Sequence, residues 1–267
     1  MSSTSEPPPA PLLEVRDLAV GWEGVPVLEA VDFTVAPGEI LAVVGESGCG
    51  KSTLLRALVG LLPPLAGTVR HHGISYWEAG EEERTALRRR FGVAFQSGAL
   101  WSSLDLFDNV AMPILRAAPD LDAGELSDLV HLRLALVGLA DAARRFPHEL
   151  SGGMRKRAAI ARALALDPAL VFLDEPAAGL DPLTGRRLDA LLLELRAALG
   201  IAFLLVTHEL ASIWTVADRV LFLDAGSRRP LALGPPAELV RHGPPRVRAF
   251  LTREGSFTPP PRAEAVP

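Results

Sequence analysis

The chain has 267 residues and a formal net charge of -5, with 49% hydrophobic and 22% charged residues. This length allows one large α/β domain or a domain with an inserted subdomain. The acidic balance gives no support for general binding to nucleic acid. The single cysteine, Cys49, excludes an internal disulfide. The apolar runs are far shorter than the ~20 residues that span a bilayer, so we expect any membrane part to come from another chain.

The first third of the chain predicts mainly strands. Apolar and polar side chains alternate over residues 12–20 and 27–35, as they do in antiparallel strands. Residues 40–44 form a continuous apolar run, which is typical of a strand buried on both faces of a parallel sheet. Leucines at helical spacing follow, up to Pro63. The next predicted elements are short strands at residues 68–69 and 73–76 and a solvated helix at residues 78–90.

The remainder of the chain alternates between helices and strands after a helical block. Residues 98–144 predict helices and loops, and residues 151–166 predict another helix. The alternation that follows predicts a parallel sheet with crossover helices. Its predicted strands are residues 170–173, 201–206 and 219–224, and its predicted helices are residues 183–199 and 210–217. The expected fold is α/β, with an antiparallel β subdomain and a helical subdomain inserted at about residues 98–165.

A complete G-x-x-x-x-G-K-[ST] pattern lies between the apolar strand and the first predicted helix. It consists of Gly45, Glu46, Ser47, Gly48, Cys49, Gly50, Lys51 and Ser52, and Thr53 follows it. Such a loop wraps its N–H groups around phosphate oxygens, and the helix beginning near Lys51 adds its positive dipole end. Lys51 reaches the β- and γ-phosphates, while the Ser52 hydroxyl binds Mg²⁺. A purely structural turn is the alternative, which the preceding strand disfavours.

Two carboxylates end another predicted strand. Asp174 and Glu175 follow the apolar residues 170–173, at the edge of a parallel sheet where ligands usually bind. We expect Asp174 to hold Mg²⁺, directly or through water, and Glu175 to orient and deprotonate the attacking water. The alternative is a simple cap on the next turn. The phosphate loop in the same chain favours the catalytic interpretation.

A second anion-binding pattern lies between these motifs. Ser151, Gly152 and Gly153 precede a predicted helix, and a serine hydroxyl with flexible glycines at a helix N-terminus binds anions. An ordinary helix cap is the alternative. The two predicted phosphate-binding segments, residues 45–52 and 151–153, are about 100 residues apart. If both bind one γ-phosphate, the simplest geometry is a pair of chains about a two-fold axis.

These motifs, in this order over residues 12–237, resemble the ATP-binding-cassette (ABC) ATPases. The resemblance implies that Ser151 caps ATP held by a second copy of the chain. It further implies that Gln96 touches Mg²⁺ or the water, that His208 contacts the γ-phosphate, and that Asp181 lies in the loop that crosses to the partner. Trp22 matches the aromatic residue that stacks on adenine, with a half-buried hairpin tryptophan as the alternative. Taken alone, Gln96, His208 and Asp181 also fit a surface amide, a strand-end histidine and a helix cap.

Further segments resemble one subgroup, the ATPases of Mla-type phospholipid transporters. They are residues 95–101, residues 106–110, Met154 and residues 245–251. The resemblance implies a homodimer on the cytoplasmic face of an inner membrane, bound to permease subunits. It also implies a lipid-binding subunit, often a small cytoplasmic partner, and movement of phospholipid or another lipid between the inner and outer membranes.

Other functions stay open at the level of sequence. The same cassette would serve an importer of small solutes or a lipoprotein-release complex. A soluble ABC protein acting on DNA or ribosomes usually has two cassettes or long coiled coils, and a monomeric phosphate-loop kinase leaves Ser151 and His208 without a role. The expected divisions are a disordered leader at residues 1–11, the ATPase domain at 12–237, a helical extension at 238–257 and a disordered tail at 258–267.

Overall fold

The computed structural model describes residues 10–252, which contain ten β-strands in two sheets. Residues 1–9 of the predicted leader lie outside the described residues. The same holds for residues 253–257 of the predicted extension and for the whole predicted tail. The strands are β1 (Leu13–Trp22), β2 (Val25–Val35), β3 (Ile40–Gly45), β4 (Ala66–His71), β5 (Ile74–Ser75), β6 (Phe91–Ala94), β7 (Leu170–Asp174), β8 (Ala202–Val206), β9 (Arg219–Asp224) and β10 (Arg229–Gly234).

The two sheets differ in strand direction. The smaller sheet is antiparallel, with the order β2-β1-β4-β5. The larger sheet has the order β10-β9-β3-β8-β7-β6, and its strands are parallel except for the antiparallel pair β9–β10. The carboxyl ends of β3, β6, β7 and β8 therefore lie along one edge of the large sheet, which is where a parallel sheet binds its ligands. This arrangement confirms the expected α/β class with its antiparallel subdomain.

Nine α-helices lie within the same described range. They are α1 (Lys51–Leu58), α2 (Glu81–Arg88), α3 (Leu106–Ala117), α4 (Ala123–Leu136), α5 (Gly152–Ala163), α6 (Pro182–Leu199), α7 (Leu210–Val216), α8 (Pro236–His242) and α9 (Pro245–Thr252). Residues 98–165 contain α3, α4 and α5 and no described strand. The helical insert is therefore present, while its domain boundaries stay a prediction.

The central strands are buried on both faces because they separate two apolar cores. Along β7, Val171 and Leu173 pack into a core shared with α3, α4, α5 and α6. Leu170 and Phe172 point the other way, into a core shared with β1, β2 and α1. This alternation explains why the sequence of β7 is continuously apolar. Packing against both cores fixes the position of β7 between them, and therefore the position of the carboxylates at its end.

Two strands were not predicted from the sequence. β6 has four residues and follows a charged helix, so it offers too little length for a periodic signal. β10 is a half-exposed edge strand with Arg229 and Pro230 at its start, a composition that is typical of a loop. No helix within residues 10–252 is long and apolar enough to cross a membrane.

Candidate functional site

The phosphate loop connects β3 to α1, as its sequence predicts. β3 ends at Gly45 and α1 begins at Lys51. Gly50, at the N-terminal cap of α1, has a φ of 94°, a left-handed conformation that only glycine adopts without strain. The loop therefore turns sharply and directs the first N–H groups of α1 into the cleft above the sheet.

Lys51 lies inside its own loop. Its Nζ donates to the carbonyl oxygens of Gly45 at 2.9 Å and Glu46 at 3.0 Å. Cys49 is buried in the core beneath, where burial raises the pKa of its thiol against the opposing charge of Lys51. The loop thus holds its ammonium group near the N–H groups at the start of α1, while Cys49 serves as a small packing residue.

Asp174 is the last residue of β7 and Glu175 follows it directly, and both side chains have an unpartnered oxygen. Asp174 Oδ1 and Glu175 Oε2 are buried atoms without a hydrogen-bond partner in the described structure. Burial and the charge of Glu175 raise the pKa of Asp174. Glu175 has a φ of 47°, a conformation that costs a non-glycine residue about 1–3 kcal/mol. Buried, unpaired carboxylate oxygens in strained backbone are typical of a functional site.

These carboxylates fit a hard cation such as Mg²⁺, which prefers oxygen ligands. Within residues 10–252, His, Cys, Asp and Glu form no group of three or more that could hold a metal. A cation beside Asp174 therefore needs other oxygen donors. Ser52 and Gln96 border the phosphate cleft and offer such donors, while Asp174 itself is not among the residues that border it. Mg²⁺ commonly meets such a need by binding one or two protein carboxylates together with oxygens of the substrate phosphates.

His208 extends from the loop after β8 and contacts Glu175. Its Nδ1 lies 2.8 Å from Glu175 Oε1, and its Nε2 lies 3.7 Å from a carboxylate oxygen of Glu209. Glu175 is 9% exposed. The histidine therefore fixes one oxygen of a nearly buried carboxylate and leaves the other free to accept a proton.

One cleft of about 740 Å³ brings most of the predicted site residues together. Along its walls lie Gly45, Glu46, Ser47, Gly48, Gly50, Lys51, Ser52, Thr53, Gln96, Glu175 and His208. They come from the loops after β3, β6, β7 and β8, so the sheet order unites segments that are distant in sequence. The geometry can bind phosphates on one side and activate a water on the other.

The C-terminal helix α9 also borders this cleft, which sequence reasoning missed. Ala249 and Phe250 lie along its wall. Arg246 binds both carboxylate oxygens of Glu46 at 3.0 Å and also pairs with Asp224 at the end of β9. The Pro-Arg-Val-Arg run that begins at Pro245 was the available signal for this helix. Its contact with Glu46 joins residues 200 positions apart, which local sequence patterns do not predict.

Ser151 and Gly153 border a different pocket of the same chain. That pocket of about 510 Å³ also includes Leu180 and Thr184. Ser151 Oγ accepts from the N–H of Met154 at 3.2 Å, so it caps α5. A Cβ at Gly153 would lie 2.6 Å from the Thr184 side chain, so glycine allows α5 and α6 to approach closely there. Gly152 lies between them, at the first position of α5.

Asp181 caps α6, and Trp22 ends β1. Asp181 Oδ1 accepts from the N–H groups of Leu183 and Thr184, both at 3.0 Å. Trp22 is 46% exposed, and the centre of its ring lies 5.7 Å from the Arg56 guanidinium. It is not among the residues that border the phosphate cleft. The adenine-stacking role of Trp22 and the partner contact of Asp181 remain predictions.

Comparison with known proteins places the chain in a family. Residues 28–178 match the family described as ABC transporter. The chain is 39% identical to the probable ribonucleotide transport ATP-binding protein mkl of Mycobacterium tuberculosis, covering 94% of this chain and 69% of that protein. It is 38% identical to the intermembrane phospholipid transport system ATP-binding protein MlaF of Escherichia coli, covering 91% and 89%. It is 43% identical to the methionine import ATP-binding protein MetN of Mesorhizobium japonicum, covering 80% and 58%.

Solved structures give the same result. The cbiO1 protein of Clostridium perfringens, part of the ABC transporter complex cbiONQ, matches with a TM-score of 0.79 and 28% identity, covering 88% of this chain and 92% of that one. The ATP-binding cassette MJ0796, in a dimeric post-hydrolysis state with ADP and Pi, matches with a TM-score of 0.74 and 29% identity, covering 84% and 98%. The chain belongs to the ABC transporter family, as an ATP-binding subunit that couples ATP hydrolysis to transport.

Proposed function

We propose that this chain is the ATP-hydrolysing subunit of a transporter that moves phospholipid or another lipid between an inner and an outer membrane. The similarity to MlaF across 91% of the chain carries this proposal. Met154, directly after the Ser-Gly-Gly run, supports it as a subgroup resemblance. In this role the chain binds permease subunits at the cytoplasmic face of the inner membrane and acts with a lipid-binding subunit and a small cytoplasmic partner.

The phosphate-binding step uses the loop before α1. The N–H groups at the start of α1 and the Lys51 ammonium bind the β- and γ-phosphates of ATP. Ser52, Asp174 and Gln96 are the residues that would hold Mg²⁺. When bound, Mg²⁺ neutralises the charge that develops on the phosphate oxygens. The buried, unpartnered Asp174 Oδ1 supports this assignment.

The hydrolytic step uses the loops after β7 and β8. Glu175 orients a water molecule and accepts its proton through the free Oε2. His208 contacts the γ-phosphate and holds Glu175 in place through the 2.8 Å contact between Nδ1 and Oε1. Water attacks the γ-phosphorus, the bond to the β-phosphate oxygen breaks, and ADP leaves with inorganic phosphate.

A second copy of the chain completes the site. Ser151 and Gly153 face a pocket that shares no residue with the phosphate cleft of their own chain, which supports a role towards another chain. In a two-fold dimer, Ser151, Gly152 and Gly153 of one protomer cap the γ-phosphate held by its partner, and Asp181 lies at the crossing loop. ATP binding closes this dimer and hydrolysis reopens it, which moves the permease helices docked on the insert.

The test of the lipid proposal is transfer by the purified complex. The full chain is isolated from its host with its membrane partners, reconstituted in vesicles, and assayed for ATP-dependent movement of labelled phospholipid onto the lipid-binding subunit. We expect transfer with the natural chain and much less with the Lys51→Met variant, which serves as the control with weakened nucleotide binding. Co-purification of an amino-acid-binding subunit, without phospholipid transfer, would contradict the proposal.

An importer of a small solute is the second candidate, because the identity to MetN reaches 43%. A lipoprotein-release complex uses the same cassette chemistry. The partners in the purified complex distinguish the three, since only the binding and membrane subunits differ.

A further inference from the structure

The chain uses arginine for nearly all of its basic positions. Among 27 Lys and Arg residues, the only lysines are Lys51 and Lys156. Lys51 belongs to the phosphate loop, where a compact ammonium is needed. An ammonium presents three donors on a small tetrahedral head, whereas a guanidinium is planar and larger. Lys156, the second lysine, therefore indicates a position where a compact cation fits.

Lys156 lies on α5 and connects two loops of the catalytic edge. Its Nζ donates to the carbonyl oxygen of Gln96 and, at 3.0 Å, to the carbonyl oxygen of Glu175. Gln96 follows β6 by two residues, and Glu175 follows β7 directly. One side chain from the helical insert therefore fixes the main chain of two residues that we assign to hydrolysis.

The bond to Glu175 acts on a strained residue. Glu175 has a φ of 47°, and such a conformation persists only when its surroundings hold it on several sides. The Glu175 N–H donates to the carbonyl oxygen of Val206 at 2.8 Å, and Lys156 binds the Glu175 carbonyl. These two bonds hold the backbone on both sides of the Cα atom. They thereby set the direction of the carboxylate that meets His208.

The loop containing Gln96 is bound to α5 by a second cation. Arg162 donates to the carbonyl oxygens of Ala99 at 2.6 Å and Gly98 at 3.0 Å. Lys156 and Arg162 thus bind three carbonyl groups within residues 96–99. Because α5 begins directly after Ser151, a displacement of this helix moves both catalytic loops with it.

We propose that Lys156 is a positioning residue for ATP hydrolysis, which holds the main chain of Glu175 and Gln96 and links them to the helix that begins at Ser151. This inference rests on the proposed roles of those three residues. It gives each protomer a direct connection between the segment that caps the partner's ATP and the groups that hydrolyse its own. The half-buried ammonium also faces the carboxylates of Asp174 and Glu175, whose charges oppose the lowering of its pKa by burial.

The test compares Lys156→Met, which removes the charge at similar length, with Lys156→Arg, which keeps it. The full chain is assayed for kcat and KM of ATP hydrolysis, for the Kd of ATP and for Tm. We expect kcat of Lys156→Met to fall about 10- to 100-fold, the loss typical of a misplaced catalytic group, while the Kd of ATP changes less than about twofold. Lys156→Arg should recover part of the lost kcat.

Arg241→Met is the matched control, because Arg241 is an exposed cation on α8, outside the cleft. A kcat for Lys156→Met within about twofold of that control overturns the inference, as does a loss that merely follows a lower Tm or a raised Kd. Glu175→Gln is assayed in parallel. If Glu175→Gln keeps its turnover, the proposed role of Glu175 fails first. If Glu175→Gln loses turnover while Lys156→Met does not, only the present inference fails.

Discussion

The two sides of the nucleotide cleft are built in different ways. The phosphate side is one continuous segment, residues 45–52, whose lysine bonds to carbonyls of its own loop. The proposed hydrolytic side consists of Gln96, Glu175 and His208, which follow three different strands and border one cleft only because β6, β7 and β8 are neighbours in the sheet. A continuous loop carries its geometry locally, whereas the hydrolytic side depends on tertiary structure.

The two sides also differ in burial and in the support they receive. Glu46 of the phosphate loop pairs with Arg246, and both side chains are about half exposed. Glu175 is nearly buried and is held by His208, Val206 and Lys156. We therefore expect substitutions on the phosphate side to change nucleotide affinity and those on the hydrolytic side to change turnover. The following variants test this division, in order of decreasing effect.

Glu175→Gln should give the largest effect. The amide keeps the size of the side chain but cannot accept the proton of the attacking water. We expect kcat to fall about 10²- to 10⁴-fold, the range of general base catalysis, while the Kd of ATP stays within about threefold. Steady-state ATPase assays and equilibrium binding measure the two quantities. Undiminished turnover would remove Glu175 from its assigned role.

Lys51→Met should give the opposite pattern. A charged hydrogen bond contributes about 1.5–3 kcal/mol, so its loss should raise the Kd of ATP about 10- to 100-fold. Calorimetric titration measures this change, with Tm recorded to verify folding. A Kd equal to that of the natural chain contradicts the assignment of Lys51 to the phosphates.

His208→Ala should have a smaller effect on turnover. It removes the group that fixes Glu175 Oε1, and we expect kcat to fall about tenfold or more, as for a misdirected catalytic group. His242→Ala is the control, because His242 is exposed at the end of α8. If His208→Ala raises the Kd of ATP and leaves kcat unchanged, the division between the two sides is wrong at this residue.

Arg246→Gln should have the smallest effect. The pair of Arg246 with Glu46 is exposed to solvent, and exposed ion pairs are weak, so we expect the Kd of ATP to rise no more than about fivefold, with kcat retained. The rise has a physical reason, because Glu46 then faces the phosphates without its cation. Arg248→Gln, an exposed arginine in the same helix, should leave the Kd unchanged. Equal effects of the two variants would exclude a specific role for the pair with Glu46.

The phosphate side could be predicted almost completely from the sequence. The strand predicted at residues 40–44 is β3, Ile40–Gly45, and the helix expected near Lys51 begins at that residue. Phosphate binding needs consecutive residues in one loop, so the information is local. On the hydrolytic side, Glu175 was predicted from its place after an apolar strand, whereas Gln96 and His208 were predicted only through the family resemblance. Spacing alone does not specify which strands are neighbours.

The supporting contacts could not be predicted. β6 was missed because four residues carry no clear period, so the bond from Lys156 to the loop beyond it had no expected partner. The contact between Arg246 and Glu46 joins residues 200 positions apart. The capping bonds of Ser151 and Asp181 agree with the ordinary helix-cap alternatives, yet a cap and a partner contact are compatible. A single chain therefore leaves the shared site as a proposal.

The central claim is that the second protomer completes the ATP site, and sedimentation in the Glu175→Gln background tests it most directly. With ATP and Mg²⁺, we expect Glu175→Gln to sediment as a dimer. Adding Ser151→Arg places a bulky charge where the partner's γ-phosphate should lie, so the double variant should remain a monomer while its ATP affinity is retained. A double variant that dimerises as well as Glu175→Gln, or a natural chain that hydrolyses ATP fully as a monomer, would contradict the account.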